Sequence, residues 1–259
     1  MTGHRGARAG TRARHATLLQ LLREGVTSVE ELSERSGVSA STVRRDLARL
    51  REDGEVARTY GGAMVTPFHE RSVGDSARHR TEAKAAIARS AVPLVPAGGR
   101  IFVDAGTTCG ALARLVAADP SLGPLTVVTR GLETAVALAD AEHVELHLLG
   151  GRLRRLSHGV VGPLATLALD RMAFDVAFLG ADAVDVARGV GEPTVEETML
   201  KEQVAAVARR TVVLADASKA GAVAPSWTRM PAPWTLVTEE ADDDLRSQAG
   251  AAGVELLAP

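Results

Sequence analysis

Two groups of residues in this chain have the types and spacing to do chemistry. The first is Ser41, Thr42, Arg44 and Arg45, followed after a short interval by Arg58 and Tyr60. Hydroxyl and guanidinium groups near the start of a helix can reach base edges and phosphates in the major groove of DNA, and a second basic segment can hold the backbone. The second group is Asp104, Gly106, Thr107 and Thr108, then Thr129, Gly150 with Gly151, Asp182, Glu197 with Lys201, and Lys219. A glycine turn running into threonines at a helix start presents amides and hydroxyls to an anion, carboxylates accept hydrogen bonds from hydroxyls, and lysines neutralise negative charge. Together they suit a small, hydroxyl-rich anion.

The elements that must position the first group follow from local rules. Ser39 comes after a Gly37-Val38 turn and can cap a helix in which Val43, Leu47 and Leu50 recur on one face. Ser41, Thr42, Arg44, Arg45 and Arg49 are left to the other faces, and Gly54 closes the helix. Upstream, Ser28-Val29-Glu30-Glu31 is a capping-box pattern, and an earlier helix carries Leu18, Leu19, Leu21 and Leu22. Residues 56–63, VARTYGGA, read as a hairpin in which Arg58 offers a charge to the DNA backbone and Gly61-Gly62 permits a tight reversal. Three short helices and a hairpin predict a winged helix-turn-helix domain over residues 12–67. Alone, Arg44, Arg45 and Arg49 would be a solvated helix face; among capped helices at this spacing they form a DNA-contacting one. Arg5, Arg8, Arg12 and Arg14 precede the first helix, either as a phosphate-contacting arm or as a solubilising tail.

Residues 68–80, with mixed charges and no sustained periodicity, read as a linker. From 81 to 257 a helix over 82–94 is followed by strand-like runs at 101–104, 125–129, 144–149, 176–180, 211–215, 235–237 and 254–257. Helical segments alternate with them, notably 110–118, 163–172 and 194–210. Several runs lack polar alternation, as strands covered on both faces do. The expectation is an α/β domain with a mostly parallel sheet, whose ligand sits outside the carboxyl ends of the strands. The second group of residues falls at those ends, except Glu197 and Lys201, which share a face of the helix before the fifth strand.

Each piece has a bland reading by itself: a loop for Gly106-Thr107-Thr108, a surface pair for Glu197 and Lys201, a helix cap for Asp216-Ala217-Ser218-Lys219. Agreement at five strand ends predicts a pocket. Arg152, Arg154 and Arg155 read as a further phosphate contact or, more simply, as a solvated basic loop. Cys109 reads as a small packed residue, and His158 has no ligand-like spacing.

Composition bounds the function. The chain has 259 residues and is 46% hydrophobic, enough for a small module and one larger domain. Residues 1–63 hold 11 Arg and Lys against 8 Asp and Glu, whereas the remainder holds 19 against 24. Positive balance in the small module alone is what contact with phosphate there requires. One cysteine excludes an intrachain disulfide framework and a cysteine-based zinc cluster. No run is long and apolar enough to span a bilayer and the N-terminus has no signal-peptide pattern, so a cytoplasmic location without a membrane partner is expected. No motif calls for a cofactor, a metal or a catalytic residue.

The run SASTVRRD over 39–46, followed by GEVARTYGGA, resembles the DNA-binding signature of the DeoR family of bacterial transcription regulators. Glu82-Ala83-Lys84, Asp104 to Thr108, Val128-Thr129, Gly150-Gly151, Gly180-Ala181-Asp182, Glu197 with Lys201, and Asp216 to Lys219 are similar, in order and spacing, to landmarks of that family's sensor domain. The resemblance covers about residues 12–257. It implies a repressor that binds double-stranded operator DNA as a homo-oligomer and responds to a phosphorylated sugar, with a sensor fold like that of ribose-5-phosphate isomerase. It also implies that Gly106, Thr107 and Thr108 hold phosphate, that Asp104 and Asp182 accept sugar hydroxyls, and that Lys201 neutralises the anion. Arg130 departs from the family, which usually has asparagine there; it either favours a more anionic effector or turns away from the pocket. The competing expectation is a sugar-phosphate isomerase with an appended DNA-binding module, using Asp182, Asp185 and Lys201 in enediol chemistry. Against it, the isomerase motif continues into an acid where this chain has Ala183.

Overall fold

A computed structural model of the chain describes residues 11, 14–22, 24–52, 56–59, 62–65, 68 and 70–258, and separates into two units, Met1–His69 and Glu70–Pro259. The first unit holds α1 (residues 14–22), α2 (Val29–Ser36), α3 (Ala40–Glu52), β1 (Val56–Thr59) and β2 (Gly62–Val65). Ser28 Oγ accepts from the Glu31 amide at 3.2 Å to start α2, and Gly37, with a φ of 72°, ends it in the left-handed region. Ser39 Oγ accepts from the Thr42 amide at 3.3 Å at the start of α3. Val43, Leu47 and Leu50 of α3 are buried against Leu18, Leu21, Leu22, Leu32, Val56 and Ala63, so all three helices and the hairpin share one core. The hairpin pairs antiparallel from Val56 opposite Val65 to Thr59 opposite Gly62. This is the expected winged helix-turn-helix; Gly54 and Gly61 lie outside the described residues.

One charge is built into that core. Asp46, on the inner face of α3 and 1% exposed, takes Arg14 Nε at 2.5 Å and Nη2 at 3.2 Å, with His15 Nε2 at 3.2 Å. Arg14 is therefore part of α1 and braces α3, which corrects its placement in an arm ahead of the first helix; Arg5, Arg8 and Arg12 lie outside the described residues.

The second unit begins with α4 (Val73–Arg78), α5 (Thr81–Ala91), β3 (Arg100–Val103), α6 (Thr107–Ala117), β4 (Leu125–Thr129), α7 (Leu132–Leu138), β5 (Val144–Leu148), β6 (Arg152–Leu153), β7 (Val160–Val161) and α8 (Pro163–Leu169). It continues through β8 (Phe174–Leu179), β9 (Ala183–Asp185), β10 (Gly189–Glu192), α9 (Val195–Val207), β11 (Ala208–Leu214), β12 (Ser226–Thr228), β13 (Thr235–Val237), α10 (Asp243–Ala252) and β14 (Glu255–Leu257). Seven strands form one sheet in the order β14-β13-β11-β8-β3-β4-β5, every pairing parallel. These are the strands read from sequence, displaced by at most three residues at an end. Two small antiparallel sheets, β6-β7 and β12-β10-β9, were not foreseen; strands of two to four residues are too short to carry a periodic signal.

Burial on both faces explains the unbroken apolar runs. Ile101, Val103, Val127 and Phe178 enter a core shared with Ile87 of α5 and Leu112 of α6. Their neighbours Phe102, Val128, Ala177 and Leu179 enter a second core with Leu169 of α8 and Leu200 and Val204 of α9. Each Val, Ile, Leu or Phe side chain among them that leaves water contributes about 1.5–3 kcal/mol.

Strand order then locates the site. From β3 the chain adds β4 and β5 to one side, and crosses to lay down β8, β11, β13 and β14 on the other. The carboxyl ends of β3 and β8 flank the point where the order reverses, which is where open α/β sheets leave a crevice. Residues 70–80, inside the stretch read as a linker, belong to this unit and carry α4: Ser72 Oγ caps it by accepting from the Asp75 amide at 3.1 Å, and the buried Val73 donates its amide to Leu156 O at 2.6 Å.

Asp46→Ala is expected to cost the first unit about 1–3 kcal/mol, read by chemical denaturation, because it strips charged hydrogen bonds from a buried position. Burial raises the Asp46 pKa, but Arg14 and His15 outweigh it and hold the carboxyl below its ordinary value. The contribution is therefore present above the unfolded aspartate pKa of about 3.9 and is lost as pH falls through the lower folded value, so wild type and variant should converge only in acid.

Candidate functional site

On α3 the residues expected to meet DNA lie away from the buried face: Ser41, Arg44 and Arg45 are exposed and Thr42 is half-buried. The Ser41 and Thr42 hydroxyls each sit 2.9 Å from Ser39 Oγ, which gathers three hydroxyls at the helix start. Arg44 reaches Glu30 of α2 at 3.3 Å with side chains 63% and 73% exposed, a pair too solvated to hold the guanidinium against a phosphate. Arg58 contributes its backbone to β1; its side chain, and all of Tyr60, lie outside the described residues.

In the second unit a cavity of about 100 Å³ is lined by residues from the carboxyl ends of β3 and β8. Gly106, Thr107, Thr108, Asp182, Glu197, Lys201 and Lys219 line it. Gly106 precedes α6 with a φ of 102°, and no side chain caps the helix, so no side-chain oxygen takes its first-turn amides. Asp182 is half-buried and 3.4 Å from Lys219 Nζ.

Four expected residues stand elsewhere. Asp104, fully buried, lies behind the lining: its Oδ1 accepts from Arg130 Nε at 2.5 Å and the Ala105 amide at 2.7 Å, its Oδ2 from Lys201 Nζ at 3.1 Å and the Gly180 amide at 3.2 Å. Both oxygens are occupied by protein donors, so the carboxylate organises the site and is not the acceptor for sugar hydroxyls that was expected. Thr129 is buried and accepts from the Gly131 amide at 3.0 Å. Gly150 and Gly151 are exposed in the turn between β5 and β6.

Arg130 turns inward. It lines the cavity at 2% exposure, with Nη1 3.4 Å from Glu197 Oε1 in addition to its bond to Asp104. Two neighbouring glycines permit this: a Cβ at Gly159 would collide with Arg130 Nη1, and one at Gly131 would come within 2.6 Å of Ala105 Cα. Two carboxylates compensate the guanidinium, so it shapes the cavity more than it charges it.

Glu197 and Lys201 share the inner face of α9 without pairing. Lys201 donates to Glu192, to Gly180 O at 2.8 Å and to Asp104. Glu197 takes Arg154 at 2.7 Å and accepts from Thr194 Oγ1 at 3.0 Å and Ser157 Oγ at 3.2 Å. Arg154 also holds Glu70 through two bonds of 2.7 and 2.8 Å, so it is a clamp between segments and not a solvated loop residue, while Arg152 and Arg155 are exposed. Cys109 is fully buried and burial pushes its thiol well up, which makes it a packed and unreactive residue. His158 bonds to Glu133.

Lys84 and Glu192 are further buried charges that line the cavity and were not among the expected site residues. Lys84 of α5 carried a signal, since Ile87, Ala88 and Ala91 are apolar at helical spacing from it and mark its face as buried. Glu192, at the end of a four-residue strand, carried none. Burial pushes the Glu192 carboxyl up to about 8, against the pull of Lys201 and with help from Asp182, Glu197 and Asp104. Burial pushes Lys84 down to about 8; Asp216 opposes this, and Lys219, Arg71 and Arg80 add to it. Lys201 is raised despite its burial because Asp104 and Glu192 face it.

Lys201→Ala is accordingly expected to destabilise the second unit by about 3–5 kcal/mol, since it leaves Asp104 and Glu192 short of a cation in a buried site. Chemical denaturation measures it, and an unchanged midpoint would show the network to be dispensable.

Comparison with known proteins agrees with both halves. Residues 14–67 match the family described as DeoR-like helix-turn-helix domain, and residues 79–238 that described as DeoR C terminal sensor domain. A protein of Escherichia coli O157:H7 named for transcriptional repression of the aga operon is 40% identical over 215 residues, covering 81% of this chain and 79% of its own. The HTH-type transcriptional regulator GlpR of Haloferax volcanii is 39% identical over 75% of each chain. The glycerol-3-phosphate regulon repressor of Escherichia coli strain K12 is 31% identical over 80% of this chain and 82% of its own. Among solved structures, ribose 5-phosphate isomerase A from Neisseria gonorrhoeae is 20% identical over 54% of this chain and 53% of that one, with a TM-score of 0.37, too low to carry an argument. Matched in its helix-turn-helix and in its sensor domain, the chain belongs to the DeoR family of transcription regulators.

Proposed function

We propose that the protein is a DNA-binding transcriptional repressor of a carbohydrate-metabolism operon, released by a phosphorylated sugar. The observation that carries this reading is the presence in one chain of a recognition helix exposing Ser41, Arg44 and Arg45 and a cavity at the reversal point of a parallel sheet, beneath an uncapped helix start. Relatives named for repression of the aga operon and of the glycerol-3-phosphate regulon support it.

In this reading α3 enters the major groove, with Ser41, Thr42, Arg44 and Arg45 at base edges and phosphates and Arg58 and Tyr60 of the wing on the backbone. The phosphate of the effector takes the α6 amides with Gly106, Thr107 and Thr108, assisted by Lys84 and Lys219, and Asp182 accepts from its hydroxyls. Asp104, Arg130, Glu197 and Lys201 hold the cavity in shape. The repressor acts as a homo-oligomer in the cytoplasm, and effector binding favours an arrangement whose paired DNA modules no longer match the operator half-sites. No helix among the described residues is long and apolar enough to cross a membrane.

Arg45→Ala should weaken binding to DNA upstream of the protein's own gene and reduce the slope of log affinity against log salt by about one. An unchanged isotherm would remove α3 from the interface. Sugar phosphates should release that DNA while the unphosphorylated sugars do not, and Lys219→Ala should raise the concentration needed by about tenfold, as for loss of a charge-assisted contact. Equal release by phosphorylated and free sugars, followed by fluorescence anisotropy, would contradict the phosphate site.

A further inference from the structure

The parallel sheet ends in two edge strands, β14 and β5. Along β5 the Leu149 amide donates to Thr129 O and the His143 carbonyl accepts from the Leu125 amide, both at 2.9 Å. Residues 143, 145, 147 and 149 therefore turn their backbone groups toward β4, and those of Val144, Leu146 and Leu148 face outward. The Val144 amide turns back to Ala141 O at 2.9 Å; the Val144 carbonyl and both groups of Leu146 and Leu148 have no partner among the described residues. Such a row of open donors and acceptors is a template for another strand, and proteins commonly blunt it with proline, lysine or a bulge. β5, reading VELHL in unbroken register with β4, has none of these. Glu145 and His147 share one face, with His147 Nε2 3.1 Å from Glu145 Oε1 and both side chains exposed. On the other face Val144 and Leu146 pack against the core that holds Leu112 of α6 and Leu138 of α7, and Leu148 is exposed.

Resting on the reading of the protein as a homo-oligomer, we propose that β5 pairs antiparallel with β5 of a second copy of this chain, across a two-fold axis at Leu146, joining the two sheets into one. The order of residues about Leu146 selects that occupant. A two-fold contact must be self-complementary, residue i meeting j while j meets i. Pairing about Leu146 sets Leu146 opposite Leu146, Val144 opposite Leu148 and Glu145 opposite His147, the last two combinations each occurring twice. The open groups fall into register: the Leu146 pair exchanges two bonds, and each Leu148 amide donates to the Val144 carbonyl of the other copy. Glu145 and His147 then occupy the non-hydrogen-bonded positions, where facing side chains lie closest. An imidazole N–H donates to a carboxylate whether or not the ring is charged, so acids and imidazoles alternate across the seam. The same operation on β14 sets Glu255 opposite Leu257, and Glu255 is already held by Arg210 at 2.7 Å and Thr235 at 2.8 Å. Five-residue strands make a small contact by themselves. The axis is perpendicular to the sheet, so α7, which packs on β5, flanks it on the same face in both copies and adds the exposed Leu132 and Val136.

Sedimentation of the full chain over a dilution series, without DNA, reads the assembly. The unaltered chain should be a dimer or a multiple of one. His147→Glu should raise the dissociation constant of that dimer about tenfold, because it sets carboxylate against carboxylate at both cross-strand positions. Adding Glu145→Lys to the same chain makes the facing groups opposite in charge again and should bring the constant back within about twofold of its original value. A chain that is monomeric at every concentration overturns this inference and the homo-oligomer reading together. An assembly unmoved by His147→Glu, or weakened by it and not restored by Glu145→Lys, overturns the β5 interface and leaves the homo-oligomer reading standing. Register is read separately by mixing chains carrying Glu145→Cys with chains carrying His147→Cys, the native Cys109 being buried. Under mild oxidation the mixture should form disulfide-linked dimers faster than either chain alone, and equal rates overturn the proposed pairing.

Discussion

Asp104 sits at the end of β3 with none of its surface in water, and the cavity is arranged around keeping that charge matched. A carboxylate so placed costs several kcal/mol in lost hydration unless each oxygen is answered, and here four donors answer them. Burial pushes the carboxyl pKa up, but Arg130 and Lys201 pull it further down, so it stays ionised. Each donor then imposes a condition of its own. Arg130 must come inward from the end of β4, which requires Gly159 opposite and Gly131 beside it. Lys201 must come from α9, which brings Glu197 inward one turn earlier, and Glu197 in turn draws in Arg154 and through it Glu70. A chain of matched charges thus runs from the strand end at the centre of the sheet to the first residue of this unit.

The DNA-binding unit is built on the same principle at smaller scale. Asp46 is a carboxylate turned inward on α3, and Arg14 of α1 answers it. That bond fixes α3 against α1 from the inside, so the outer face is free to be polar and lightly held. Ser41, Thr42, Arg44 and Arg45 are presented by a helix whose position does not depend on them. In both units a buried acid positions the element, and the exposed or cavity-facing groups have no part in holding it.

Much of the fold was legible because double-sided burial writes itself as continuous apolar runs; Ile101 to Val103, Leu125 to Thr129 and Thr235 to Val237 could hardly be anything but covered strands. Caps were legible for the same local reason, and Ser28 and Ser39 do what their spacing suggested. Less of the site could be read. Sequence gives the type of a residue and not its counter-charge, so Asp104 looked like a ligand acceptor until Arg130 and Lys201 were seen to occupy both its oxygens. Glu197 and Lys201 looked like partners because they are four apart, whereas each is bound to a residue distant in sequence. The six residues of α4 are too few to show a period, which hid the segment from 70 to 80 as part of the cavity wall.

In the proposed function the cavity and the recognition helix act on one equilibrium. Coupling of that kind is reciprocal: a ligand that weakens operator binding by some factor must itself be bound more weakly by the operator complex, by the same factor. The direct measurement is the affinity of the releasing sugar phosphate for the full chain, taken by titration calorimetry with and without saturating operator duplex. The Kd on DNA should be higher, raised by the factor with which the sugar phosphate raises the Kd for DNA. The same Kd in both titrations would contradict it and leave the cavity and the helix as two unrelated sites.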